Sequence, residues 1–139
     1  MAWRVAKSLL KLRDQINDLS PNRSKISDGT IGDPAHSSRT SDHNPSPKGI
    51  VCALDITHDP KHGIDSQLLA DAIAASKDSR VKYIISNKRI MSGNDGKSPW
   101  KWRNYTGKNP HNHHVHISVE GDVDSARAWN LGDFGKGGS

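Results

Sequence analysis

The chain has a single cysteine, Cys52. That excludes an internal disulfide and any zinc site built from several thiolates, so a metal here must be held by histidine and carboxylate. Apolar residues are scarce at 32%, aromatic residues make up 5%, and mean hydropathy is −0.76. The core is therefore thin and much of the chain is loop, as twelve Gly and seven Pro also suggest. No run approaches the roughly 20 apolar residues of a membrane span, so no membrane insertion is expected. Residues 1–17 are apolar at helical spacing, but charges interrupt them, and they lack the continuous apolar stretch of a secretory leader. Synthesis is expected in a cytosol, with any exit left to another agent.

What is present begins with charge. Twenty Lys and Arg face fifteen Asp and Glu, giving +5 and a pI near 9.5. An anionic partner follows, and nucleic acid and cell-wall polymer both qualify. The length suits one domain over residues 1–134, with the Gly-rich 135–139 as a tail or linker.

Val5, Leu9, Leu12, Ile16 and Leu19 form one face of an amphipathic helix ending near Pro21, its charged face simply solvated. Residues 20–48, rich in Ser, Asp, Gly, Pro and Asn, read as a long loop of the kind that carries function. Ile50 to Thr57 reads as a buried strand, and 58–63 as a turn. A helix capped by Asp65 or Ser66 follows, carrying Leu68, Leu69, Ala72 and Ile73. Strands are expected over 81–86 and 89–92 around a tight turn at Asn87-Lys88, with another turn at 93–96. Residues 100–110 look irregular, 115–119 a strand, and 125–131 a last short helix. The order predicts an α+β domain, a small mostly antiparallel sheet with helices packed on one side.

Eight histidines are many for this length, and four crowd into His111-Asn112-His113-His114-Val115-His116. Asp55 interrupts an apolar strand, where a carboxylate is costly unless paired, hydrogen-bonded or metal-bound. Alternation puts Val51, Ala53 and Asp55 on one face and Ile50, Cys52 and Leu54 on the other, so Cys52 is ordinary core. His114 and His116 share the polar face of the last strand, a ready pair of metal contacts with His43 and Asp55 also available. Three protein ligands and an open position are what catalytic zinc needs, the bound water losing its proton near pH 7. Amide hydrolysis then requires a base and a group to stabilise the oxyanion.

Ser41-Asp42-His43, followed by Gly49, Ala53 and Asp55, resembles the Ser-x-His…Gly-x-Ala-x-Asp signature of the D-Ala-D-Ala metallopeptidases, in the superfamily shared with lysostaphin and the hedgehog signalling domain. His114-Val115-His116 resembles the family's second signature, His-x-His, and Arg39 its upstream Arg. The wording from Ser41 to Ile56 also resembles the peptidase domains of bacteriophage endolysins. The resemblance runs from about Arg39 to Val119. It implies a hedgehog-like fold and one Zn²⁺ per chain held by His43, Asp55 and His116. It implies Arg39 on the substrate carbonyl and cell-wall peptide as substrate, cut at a D-Ala cross-link or an L-Ala–D-Glu type bond. A monomer acting on the wall follows, freed through a membrane pore or carried on a phage particle, with no nucleic acid partner.

His43 and Asp55 stand twelve positions apart, more than is usual in that family, with the extra residues around Asn44 to Lys48. The family's acidic base position holds His113 here, and a neutral His serves as a base near pH 7. His113 and its rival His114 both stay open as the base. Ser41 is expected to orient His43 or the loop beside substrate, and His111 to line the entrance. Trp100, Trp102 and Tyr105 either contact substrate or cap the core. His36, His58 and His62 are expected in loops, and Trp3 and Trp129 in the core. Two other classes remain. Asp42-His43-Asn44-Pro45 loosely resembles the His-Asn-His metal-dependent nucleases, which would put the later His on a helix and leave Asp55 unexplained. A non-catalytic, zinc-containing wall-binding module would keep the metal without the chemistry.

Overall fold

The structure, a computed structural model, describes residues 4–25, 50–94, 99–105, 114–120, 126–132 and 134. Strand β1 (Arg4–Val5) leads into helix α1 (Lys7–Leu19). Strands β2 (Ile50–Val51) and β3 (Ala53–Thr57) precede a 3₁₀ turn (Pro60–His62) and helix α2 (Ser66–Ser76). Strands β4 (Val81–Ser86), β5 (Arg89–Ser92), β6 (Arg103–Asn104) and β7 (His114–Val119) complete the order. The main sheet is β3-β7-β4-β5-β6, antiparallel throughout, and β1 pairs with β2 in a separate parallel pair. The α+β class with an antiparallel sheet is as expected.

Alternation assigns the two faces of the sheet. Leu54, Ile56, Ile84, Val115, Ile117 and Val119 turn to one side, where Leu9, Leu12 and Ile16 of α1 and Leu69 and Ile73 of α2 complete a buried cluster. Each such side chain contributes about 1.5–3 kcal/mol of gross burial energy. Both helices therefore lie on one side. Cys52 is buried in that same cluster, as ordinary core. Among the described residues no helix is long and apolar enough to cross a membrane.

Five local expectations change. Val5 leaves the helix and pairs with Val51. The single strand expected over 50–57 breaks at Cys52, where it changes partner: Val51 accepts from Ala6 N, and Cys52 accepts from Val119 N. Leu68 is 58% exposed, because α2 buries Ser66, Leu69, Ala70 and Ile73 instead. The irregular stretch after Trp100 contains β6, which pairs with β5.

The fifth change is the missing last helix: residues 126–131 have no regular secondary structure. Their polar backbone groups are matched by side chains from elsewhere, which satisfies them without a helix. Gln15 Oε1 accepts from Trp129 N at 2.7 Å, and Gln15 Nε2 donates to Trp129 O at 3.0 Å. Arg80 Nη1 donates to Arg127 O at 2.7 Å, and the buried Trp129 indole donates to Ser8 O. The tail 135–139 and Trp3 lie outside the described residues.

Two turns prepare the site. Asn87 and Lys88 both have positive φ, 50° and 66°, the geometry that closes a two-residue hairpin between twisted strands. At the start of β4 the register against β7 slips between Val81 and Tyr83. A bulge of this kind re-aims the side chains beyond it. Here it carries Tyr83 and Ile85 onto the sheet face away from the helices. Gly93 fits closely against this bulge, since a Cβ there would meet Val81 O at 2.0 Å.

Candidate metal centre

The strand pairing brings together residues that lie 61 positions apart in the chain. Asp55 on β3 is the direct cross-strand partner of His116 on β7, and Thr57 is the partner of His114. All three ionisable side chains project from the face opposite the helices. Asp55 Oδ1 lies 3.2 Å from His116 Nδ1, and Asp55 Oδ2 lies 3.5 Å from His114 Nε2. One carboxylate thus sits between two imidazoles. Side-chain exposure is 15% for Asp55, 13% for His114 and 5% for His116, so water screens the group little.

The surroundings hold His116 in place. Its Nε2 is 2.9 Å from Ser118 Oγ, the next residue on the same face of β7. Its ring stacks on Tyr83 with centroids 5.4 Å apart and planes 10° from parallel. The bulge in β4 is what makes that stacking possible. With Nε2 engaged by a hydroxyl, Nδ1 is the nitrogen left facing Asp55. This matches the usual design of a metal-binding histidine, in which the second ring nitrogen is held by an outer partner.

The donor set suits zinc in chemistry and spacing. Bonds of about 2.0–2.1 Å in a tetrahedron put neighbouring donor atoms roughly 3.3 Å apart. The Asp55 Oδ1 to His116 Nδ1 separation of 3.2 Å falls on that value. Among the described residues no three His, Cys, Asp or Glu side chains converge as a full metal-binding group. Asp55 and His116 would supply two ligands. His43, the third implied by the resemblance, lies outside the described residues, as do Arg39, Ser41, His111, His113 and His36.

The other expected residues fall elsewhere. Trp100 and Trp102 are half-buried and pack against the hydrophobic cluster, as the core-capping alternative expects. The Trp100 indole donates to Asn94 Oδ1 at 2.8 Å, and Arg89 lies over the Trp102 ring at 5.0 Å. Tyr105 is half-buried after β6, its backbone N–H donating to Lys88 O. His58 and His62 are loop residues, as expected. His58 Nδ1 accepts from Ser66 N, and His62 Nδ1 contacts Asp59 Oδ2 at 2.8 Å. Asp59 also accepts from Ser24 N, which, together with the His62 contact, holds its carboxyl below the ordinary range.

Sequence reasoning missed Ser118, Tyr83 and Arg103. Ser118 was within reach, because it follows His116 by two positions on a strand. Tyr83 was not, because the bulge that turns it has no clear local signal. Arg103 sits on the same cross-strand row as Asp55 and His116, through Ile85 and Ile90, and only the register reveals that. No protein-family model, no curated protein and no solved structure gives a significant match to the chain.

Proposed function

We propose that this protein is a zinc-dependent peptidase that hydrolyses an amide bond in bacterial cell-wall peptide. The observation that carries the reading is the half-buried Asp55 carboxylate set between His114 and His116, with the nearest donor pair at a tetrahedral spacing. A largely desolvated carboxylate facing two imidazoles is costly to maintain without a cation or proton to neutralise it. The resemblance of 39–119 to the D-Ala-D-Ala metallopeptidases adds the substrate class and the third ligand, His43.

Each residue then has a task. Asp55 and His116 would hold the metal, with His43. Ser118 and Tyr83 fix the His116 ring so that Nδ1 faces Asp55. Zinc, when bound, polarises the scissile carbonyl and lowers the pKa of water. His114 or His113 takes the proton from the attacking water and returns one to the leaving amine, a task suited to imidazole near pH 7. Arg39 supports the carbonyl oxygen as negative charge develops. Ser41 and His111 line the approach. The chain acts on the wall as a monomer, delivered as a lysis enzyme or with a phage particle.

The nuclease reading is disfavoured by the placement of His114 and His116 on strand β7 rather than on a helix. The wall-binding reading shares the metal and differs only in lacking turnover. Mass spectrometry of the dialysed protein should find about one zinc per chain. Purified peptidoglycan should then gain free amino groups on incubation, and a chelator should stop this. A protein that takes up no zinc when supplied with it overturns the peptidase reading. Full zinc without new amino groups leaves the binding module. Plasmid nicking that needs magnesium moves the nuclease forward.

A further inference from the structure

We propose that Arg103 recognises a carboxylate of the bound peptide, so that the ligand is an anionic peptide carrying a free carboxylate about three residues from the bond held at Asp55 and His116. The identity of that bond rests on the peptidase reading, but recognition of the carboxylate does not.

The register is the first support. Asp55, His116, Ile85, Ile90 and Arg103 are successive cross-strand partners on β3, β7, β4, β5 and β6. They form one row across the face opposite α1 and α2, polar at both ends and apolar in the middle. Arg103 Nη2 donates to Ser92 Oγ at 2.7 Å, which draws the guanidinium back over β5. Two strand spacings separate β5 from β7, about 10 Å. An extended peptide covers that distance in about three residues.

The second support is the state of the guanidinium. Arg103 is half-buried, and among the described residues only the neutral Ser92 hydroxyl accepts from its guanidinium. No described carboxylate pairs with it. A planar fork of this kind matches a carboxylate.

The third support is charge. Residues 81–105 hold six cations, Lys82, Lys88, Arg89, Lys97, Lys101 and Arg103, against one acid, Asp95. This stretch accounts for the whole net charge of the chain, and the remainder is balanced. Among the described residues, Lys82, Lys88, Arg89, Lys101 and Arg103 lie in or beside β4, β5 and β6, so an anionic ligand is favoured at that end of the sheet.

The test is calorimetric titration of the full chain with two probes: an N-acetylated wall stem tetrapeptide with free carboxylates, and the same peptide with every carboxylate amidated. The wild type should bind the free form roughly 10- to 100-fold more tightly, the worth of a charge-assisted hydrogen bond. Arg103→Gln should bind both forms alike at the weaker level. Arg103→Lys, which keeps the charge and loses the fork, should keep only part of the preference, and it decides the matter if the Gln variant does not fold. Arg89→Gln removes a cation nearby and should leave the preference in place. Binding of neither probe, equal binding by the wild type, an undiminished preference in both Arg103 variants, or an equal loss in Arg89→Gln overturns the proposal. Cleavage is read separately: a wild type that discriminates but never cuts loses the peptidase reading and retains Arg103.

Discussion

Two charged clusters among the described residues are built differently. At the end of α2, Arg80 is 1% exposed and saturated with partners. Its Nη2 donates to Asp78 Oδ2 at 2.7 Å, its Nε to Asp78 Oδ1 at 2.9 Å, and its face lies over the Trp129 ring at 4.1 Å. These are the lengths of strong charge-assisted hydrogen bonds. Burial raises the Asp78 pKa, but the hydrogen bonds from the Arg80 side chain and backbone outweigh it and leave the carboxyl below its ordinary value. Across the sheet, Asp55 stands 3.2 and 3.5 Å from two imidazoles, distances too long for strong bonds and suited to atoms around a shared ion. The first cluster has its counter-charges built in and serves to fasten the C-terminal segment. On the peptidase reading, the second would hold a metal ion. The two clusters thus differ in the lengths of their contacts, not in whether they place charge away from water.

Substitutions can break this contrast. The largest effect is expected from Asp55→Asn: loss of zinc and of peptidoglycan cleavage beyond the roughly 100-fold that removal of an outer partner costs, with thermal stability of the metal-free protein little changed. Metal analysis, amine release and a melting curve check all three. A variant that keeps zinc and activity removes Asp55 from the ligands.

Arg80→Met should do the reverse. Removing one partner of a buried pair costs about 3–5 kcal/mol, a fall in Tm on the order of 10 °C for a domain of this size. Zinc content per folded molecule should stay the same. An unchanged Tm would mean that the Arg80 cluster fastens nothing.

Ser118→Ala tests the support beneath His116. Zinc affinity should weaken about 10- to 100-fold, measured by competition with a chromogenic chelator, while the fold persists. Equal affinity would show that the hydroxyl contact does not orient the ring.

The smallest effect concerns acid. Because Asp78 binds its proton less readily when folded, the unfolded chain binds more protons as pH falls, and stability rises with pH in this window. The contribution is complete above the ordinary aspartate value of 3.8 and is lost as pH falls through the lower folded value. Asp78→Asn should flatten that part of the stability profile, read by denaturant titration at stepped pH. A slope that survives the substitution belongs to another carboxylate.

Legibility followed the range of the interactions. Helices α1 and α2, the Asp65 cap and the hairpin at Asn87-Lys88 were visible because hydrophobic spacing, a capping side chain and turn chemistry act within a few residues. The shared face of His114 and His116 was visible for the same reason, as a two-residue period on one strand. The segment 126–131 was misjudged because Gln15 and Arg80, remote in sequence, satisfy its backbone. Leu68 belongs to the apolar residues of α2 and yet is exposed, because periodicity cannot say how wide a stripe the neighbours will cover.

The sequence by itself determined the class of the protein: an α+β chain with a thin core, an acid inside an apolar strand, and paired histidines on one face of another. These are local facts of composition and period, carried by each segment alone. Only the tertiary structure decided that β7 inserts between β3 and β4, which puts Asp55 against His116, and that a bulge at Lys82 turns Tyr83 onto that ring. Strand order and register arise from long-range pairing of the whole sheet, where a shift of one residue sends every side chain to the other face.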